Sequence, residues 1–354
     1  MAPKNLNILV INVARIGDTL LIAPVLRAIK AACPEGRLGC LAHPKRAAVL
    51  EGLAELDFLG TITPRRARWR GWFGGKNWDY AVVYGRDAAL IRYAARVAQR
   101  VIAFAQERDD INRILWRAVP VAENREQLHV VREHLLLPAA LDIETADYRL
   151  AYAFLPDELR RAREWISRSL PPDAHPLVGF QVASFATKSY RDWPLERFAE
   201  LGERILADYP SAHILILGGS DCRDKADWLA SRLKGRATAA AGRFDMRGTA
   251  ALMHHLDLYV GVDTGPTHLA AALNIPMVAL YHCFHRARRL APLGHGLLRA
   301  IDHPRPDAAC NRNVPMDEIS VDVVWEQVSE LLKQNPRGRN VRDIPGRRPP
   351  GLAE

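Results

Sequence analysis

Along the chain, short unbroken apolar runs alternate with longer stretches in which apolar residues recur every three or four positions. The runs occupy 8–13, 37–42, 79–84 and 101–104 in the first half, and 177–182, 213–217, 258–262 and 276–281 in the second. Runs of this length between turn residues read as strands buried on both faces. Helical spacing fills 20–32, 88–98, 127–136, 156–170, 194–209, 224–234, 246–255 and 266–273, with a last helix reaching 332. A chain that opens strand–helix–strand and keeps that alternation implies parallel sheets covered by helices.

Residues 145–176 divide this pattern in two. The helix at 156–170 is rich in Arg and Glu, and Pro171-Pro172-Asp173-Ala174-His175-Pro176 reads as a hinge. The expected units are 1–172, 177–334 and a Pro-, Gly- and Arg-rich tail, 335–354, expected to be mobile.

Four segments carry candidate chemistry. After the 258–262 strand comes the turn Asp263-Thr264-Gly265, then Pro266, whose fixed φ and missing N–H suit the first position of a helix. Asp263 or Thr264 is placed to cap that helix, whose N-terminus attracts phosphate; a plain connecting turn is the alternative. After the first strand, Arg15-Ile16-Gly17-Asp18 puts Asp18 where open α/β sheets bind ligands, although Asp is also a good helix N-cap. Arg65, Arg66, Arg68 and Arg70 interleave with Trp69 and Trp72. They read either as a solvated loop or as a surface for anionic sugars, lipid headgroups or phosphates. Finally, Thr187, Lys188 and Arg191 follow the strand that reopens the pattern at 177.

Composition narrows the class. With 354 residues, 49% hydrophobic and 25% charged, the chain has the make-up of a soluble globular protein of two ordinary domains. No apolar stretch is long enough to span a bilayer, and we read no signal peptide at the N-terminus. Cys33, Cys40, Cys222, Cys283 and Cys310 are scattered and odd in number, which favours reduced thiols. A net charge of +9 implies an acidic partner. The absence of a zinc-finger or RNP-type motif argues against nucleic acid.

Asp263-Thr264-Gly265-Pro266-Thr267-His268-Leu269-Ala270-Ala271-Ala272-Leu273 resembles the signature of the ADP-heptose:lipopolysaccharide heptosyltransferases, glycosyltransferase family 9. Arg15-Ile16-Gly17-Asp18 with Pro24-Val25-Leu26-Arg27, the loop ending Arg191-Asp192-Trp193-Pro194, and the C-terminal Met316 to Val324 resemble further family segments. The resemblance implies a GT-B fold: two Rossmann-like domains facing each other across a cleft. It implies Asp18 as general base, and Thr264, Gly265 and the helix they open holding a diphosphate together with Thr187, Lys188 and Arg191. Arg191 stands where the family usually has Lys, so a forked donor replaces a point charge. Asp263 would bind sugar hydroxyls and His268 would buttress the turn. Asp221 or Asp224 would meet the ribose, with spacing unable to separate them, and Phe244 would pack on adenine. Arg65, Arg66, Arg68 and Arg70 would meet an anionic glycolipid acceptor.

The implied activity is inverting transfer of heptose from an ADP-sugar to a lipopolysaccharide inner-core acceptor at the cytoplasmic face of the inner membrane. No Asp-x-Asp motif stands where a nucleotide-sugar site would want one, so the expected chemistry is metal-independent. Tyr281-His282-Cys283-Phe284-His285 departs from the family's usual Gly-Pro-Thr and leaves the donor sugar open. His282, Cys283 and His285 suggest a metal, but no fourth ligand is evident nearby. The rivals are another GT-B sugar-nucleotide enzyme, with a different donor or an epimerase, and a non-catalytic nucleotide-binding or membrane-docking protein.

Overall fold

The computed structural model describes residues 4–123 and 125–334; the tail 335–354 lies outside the described residues. The first half holds β1 (Ile8–Asn12), β2 (Leu38–Ala42), β3 (Phe58–Thr61), β4 (Trp78–Tyr84), β5 (Ala98–Phe104) and β6 (Arg117–Val119). They form one parallel sheet in the order β3-β2-β1-β4-β5-β6. The second half holds β7 (Leu177–Gln181), β8 (His213–Leu217), β9 (Ala237–Ala239), β10 (Leu258–Val262), β11 (Met277–Tyr281) and β12 (Leu298–Asp302). Their order, β12-β11-β10-β7-β8-β9, is the same doubly wound topology, again all parallel. Each sheet therefore has one topological switch point, between β1 and β4 and between β7 and β10, and ligands bind at the carboxyl ends there.

The apolar runs become strands because both sheet faces are covered. In β1, Ile8 and Val10 pack with Leu20, Leu26 and Ile29, while Leu9 and Ile11 pack with Leu90, Ile91 and Ala94 on the other side. The central strands agree with expectation to within a few residues. β3, β6, β9 and β12 were not expected: they lie at or beside the sheet edges, are only partly buried, and lack the unbroken apolar signal. The helix expected at 20–32 is two pieces, Ile16–Leu20 and Ala23–Ala32, with Pro24 in the first turn of the second. Proline cannot continue an existing helix but suits the start of a new one.

The helix Glu158–Ser169 joins the halves and packs on the helix Met246–Met253. From the latter, the buried Arg247 guanidinium reaches both sides of the boundary. It pairs with Glu158 and donates to the carbonyls of Ala48 at 2.6 Å and Ala153 at 2.8 Å. Arg289 makes a second tie, with Nη2 2.9 Å from Glu133 Oε2.

The expectation of reduced thiols fails for one pair: Cys283 and Cys310 form a disulfide, with Cα atoms 5.8 Å apart. The fold brings together residues 27 positions apart that no short spacing motif linked. Cys33, Cys40 and Cys222 are buried and take part in no disulfide among the described residues. Among the described residues, no helix is long and apolar enough to cross a membrane.

Candidate active site

The carboxyl ends of the two central strand pairs face each other across a cleft of about 470 Å³. The turns after β1 and β10 meet there with almost no side-chain bulk. A Cβ on Gly17 would stand 2.7 Å from His268 Cδ2, and one on Gly265 would stand 3.2 Å from Ile16 Cγ2. Glycine at both positions lets the halves approach this closely.

Asp18 lines the cleft from the first half, in the first turn of Ile16–Leu20. It is not the N-cap, which is Arg15. Asn12 Nδ2 donates to the Asp18 main-chain carbonyl at 3.2 Å, and among the described residues nothing bonds its carboxylate. The capping alternative for Asp18 is thereby corrected: the helix begins at Ile16, so Asp18 lies inside its first turn.

Opposite stands the helix Gly265–Ala272. Thr264 is its N-cap residue but makes no side-chain cap; its Oγ1 instead donates to Val262 O at 3.2 Å. The expected capping by Asp263 or Thr264 therefore does not occur, and among the described residues no side-chain oxygen bonds the helix N-terminus. Such an end offers backbone N–H groups and positive potential to an anion.

Asp263 is 3% exposed and paired: Arg191 Nη1 lies 2.7 Å from Oδ2 and 3.2 Å from the Asp263 carbonyl. Burial pushes the Asp263 carboxyl up to about 6, with Arg191 opposing and the charge of Asp18 adding. Arg191 Nε is buried and has no hydrogen-bond partner among the described residues. His268 is buried too, with Nε2 3.8 Å from Asp263 Oδ1 and an unbonded Nδ1; burial lowers it to about 4, so the ring is neutral near pH 7. Its ring packs on Gly17 across the cleft, a wider role than buttressing its own turn.

The loop after β7 is organised by a residue that sequence reasoning passed over. Asp192 Oδ1 accepts from Ser184 N at 2.7 Å and Ser184 Oγ at 2.6 Å, while Oδ2 takes Lys225 Nζ at 3.0 Å. Lys188 and Arg191 then line the cleft; Thr187 is exposed and lies off its wall. Asp221 lines the cleft and the exposed Asp224 does not, a separation that spacing could not make. Phe244 turns edge-on to Trp165 at 5.3 Å, and Met246 takes a place on the wall instead.

Sequence reasoning also missed Arg15, Gln181 and Phe185 on the wall; position at the end of a central strand or in the loop that follows it was the available signal. His285 lines the cleft with Nε2 2.9 Å from Tyr190 Oη. Burial, then Arg191 and Lys188, lower it to about 3, so it stands there as a neutral group. His282, Cys283 and Cys310 have ligand atoms within 4.8 Å of one another, but the two sulfurs are bonded together. Arg65 and Arg66 lie in the short helix Pro64–Ala67, with Arg68 and Arg70 just after; none of the four lines the cleft.

Two facing Rossmann-like domains with a cleft at both switch points make up the GT-B fold. Residues 86–313 match the model of glycosyltransferase family 9 (heptosyltransferase), and the chain belongs to that family. It is 22% identical over 294 residues to lipopolysaccharide heptosyltransferase 3 of Escherichia coli, covering 76% of this chain and 83% of that one. Its fold is similar to that of a family 9 glycosyltransferase from Veillonella parvula DSM 2008, with TM-score 0.81 and 18% identity over 94% of this chain and 99% of that one. It is also similar to E. coli heptosyltransferase WaaC with ADP, with TM-score 0.69 and 19% identity over 92% and 99%.

Proposed function

We propose that this chain transfers heptose from ADP-heptose to a lipopolysaccharide inner-core acceptor, inverting the anomeric centre without a metal. The observation that carries this reading is the opposition across one cleft of an unbonded carboxylate, Asp18, and an uncapped helix N-terminus flanked by Lys188 and Arg191. Asp18 takes the proton of the acceptor hydroxyl. The freed oxygen attacks the anomeric carbon, and the bond from that carbon to the diphosphate breaks. ADP leaves with the electron pair, and its growing negative charge is stabilised by the helix N-terminus, Lys188 and Arg191. Asp263 faces the sugar hydroxyls, and Asp221 rather than Asp224 takes the ribose. The WaaC structure that holds ADP supports the nucleotide, and the lipopolysaccharide heptosyltransferases among the relatives support the acceptor class. The site of action in this reading is the inner face of the bacterial inner membrane, with the protein bound peripherally.

The test is a thermal-shift panel of ADP, UDP, GDP and CMP in EDTA. ADP at a hundred times its dissociation constant should stabilise the protein by about 2.7 kcal/mol. A preference for UDP, GDP or CMP, or loss of the ADP shift in EDTA, would overturn the donor and metal-free parts of the reading.

A further inference from the structure

The three most exposed large apolar side chains of the described structure lie within five residues of one another: Trp69 at 80%, Trp72 at 64% and Phe73 at 98%. Single exposed apolar residues need no explanation, but a cluster of this kind does. Between Thr61 and Trp78 the chain also carries Arg65, Arg66, Arg68, Arg70 and Lys76, and no acid. No ion pair occupies any of these cations among the described residues.

The segment is held in place. Arg96, on the helix Ala88–Val97, donates from Nε to Arg70 O at 3.0 Å and from Nη2 to Ala67 O. Its guanidinium lies 4.5 Å from the centre of the Trp72 ring. Trp72 Nε1 in turn donates to Arg68 O at 3.3 Å. Gly71, at φ +79°, packs against Tyr93 and Val97 near the end of that helix. The helix starts after the carboxyl end of β4 and runs back toward the start of β5, so the segment descends away from the cleft end of the sheet. Phe73 stands at its tip, followed by Gly74 and Gly75.

We infer that this segment is a membrane-docking surface, which inserts Trp69, Trp72 and Phe73 into the headgroup region of an anionic lipid bilayer while its cations meet the lipid phosphates. Trp carries an apolar body and a polar N–H and favours that interface. Clustered Arg and Lys supply the attraction to anionic lipid. A second copy of this chain is a poor occupant, because it would bring five cations against five. Nucleic acid fits less well: a ring that is 98% exposed protrudes as a wedge and is not set back as a platform for base stacking. This surface does not depend on which donor the cleft binds, so ADP binding reports separately on the cleft.

The experiment is flotation of the whole protein with vesicles of phosphatidylethanolamine containing phosphatidylglycerol, beside vesicles of phosphatidylcholine alone and a labelled oligonucleotide. Wild type should float with the anionic vesicles only and be released by high salt. The triple variant Trp69→Ser, Trp72→Ser, Phe73→Ser should lose at least about tenfold in vesicle affinity while keeping its thermal shift with ADP. Replacing Arg65, Arg66, Arg68 and Arg70 by Ser should lose roughly a hundredfold at low salt. Phe73→Ser alone, at a ring the fold does not bury, should lose a smaller but measurable part and serves if the larger variants misfold. Unchanged flotation of Phe73→Ser and of the triple variant would overturn the inference. So would equal binding to phosphatidylcholine, or oligonucleotide binding through these residues without vesicle binding.

Discussion

After β1 the chain turns through Arg15-Ile16-Gly17-Asp18, and after β10 through Asp263-Thr264-Gly265-Pro266. Both turns sit at the switch point of a sheet with the same strand order, and both bring an acid and a glycine to the same cleft. The two acids meet different surroundings. Asp263 is buried and held by Arg191 at 2.7 Å, while no bond holds the half-buried Asp18 carboxylate among the described residues. A buried carboxylate must be paired to stay charged, and the Arg191 guanidinium on Oδ2 closes that oxygen to an acceptor hydroxyl. One topology thus yields a fixed, charge-compensated wall on the second half and a carboxylate free to accept a proton on the first.

The largest effect expected from breaking this difference is at Asp18. Asp18→Asn should fold, melt near wild type and bind ADP, yet lose roughly 10² to 10⁴ in kcat, the usual cost of removing a general base. Since Arg15 and not Asp18 occupies the N-cap, the substitution removes no cap. Near-normal turnover in a folded Asn variant would leave the acceptor proton without an assigned base.

Next comes Arg191→Ala, which strands the Asp263 carboxylate. A cost of about 3–5 kcal/mol is expected, as for other broken buried pairs, together with weaker ADP binding. Arg191→Lys should recover part of both, and Asp263→Asn added to Arg191→Ala should restore much of the stability. Denaturant melts decide it, and an unchanged midpoint for Arg191→Ala would show that the pair carries little.

The second half is also stapled where the first is not. Reducing Cys283–Cys310, or Cys283→Ala, should cost roughly 3–4 kcal/mol by loop-closure entropy, read as a lower Tm in reductant. Insensitivity to reductant would mean that the two thiols are not joined in solution.

Acid should act on the buried histidines and on Asp263 with definite signs. Burial holds His129 and His268 at about 4, as it does His134, below the ordinary imidazole value of 6.5. Their contribution is complete above 6.5 and is lost as pH falls through about 4, about 2 kcal/mol for each by pH 5. Asp263, raised to about 6, has the opposite sign: its burial costs stability as pH rises through 6, so acidification relieves part of the loss. The Tm should therefore fall between pH 7 and pH 5, and less in His268→Asn; the same fall in that variant would remove His268 from the account.

The smallest effect sharpens the nucleotide side. Asp221→Asn should weaken ADP by about tenfold, the scale of one lost hydrogen bond to a charged group, and Asp224→Asn should leave it unchanged. Equal effects in a calorimetric titration would return the two acids to equivalence.

Much of the frame was legible before any fold. β7, β8 and β10 were readable because a strand covered on both faces is apolar at nearly every position, and that signal is local. The signature 263–273 and the Asp18 turn were legible for a similar reason: a turn, a proline and a small helix start are written in adjacent residues. The short strands β3, β6, β9 and β12 were not legible, because their partly buried positions carry no unbroken apolar run.

What the sequence determined by itself was the kind and order of the elements, and the residue types that meet at the two switch points. Only the tertiary structure decided which of them face one another. It put Asp221 and Met246, and not Asp224 or Phe244, on the cleft wall, and made Asp263 the partner of Arg191. It also joined Cys283 to Cys310 and set Gly17 against His268. Each of these is settled by packing between segments distant in the chain, where burial and the pairing of charge act through space and leave no periodic trace in the order of residues.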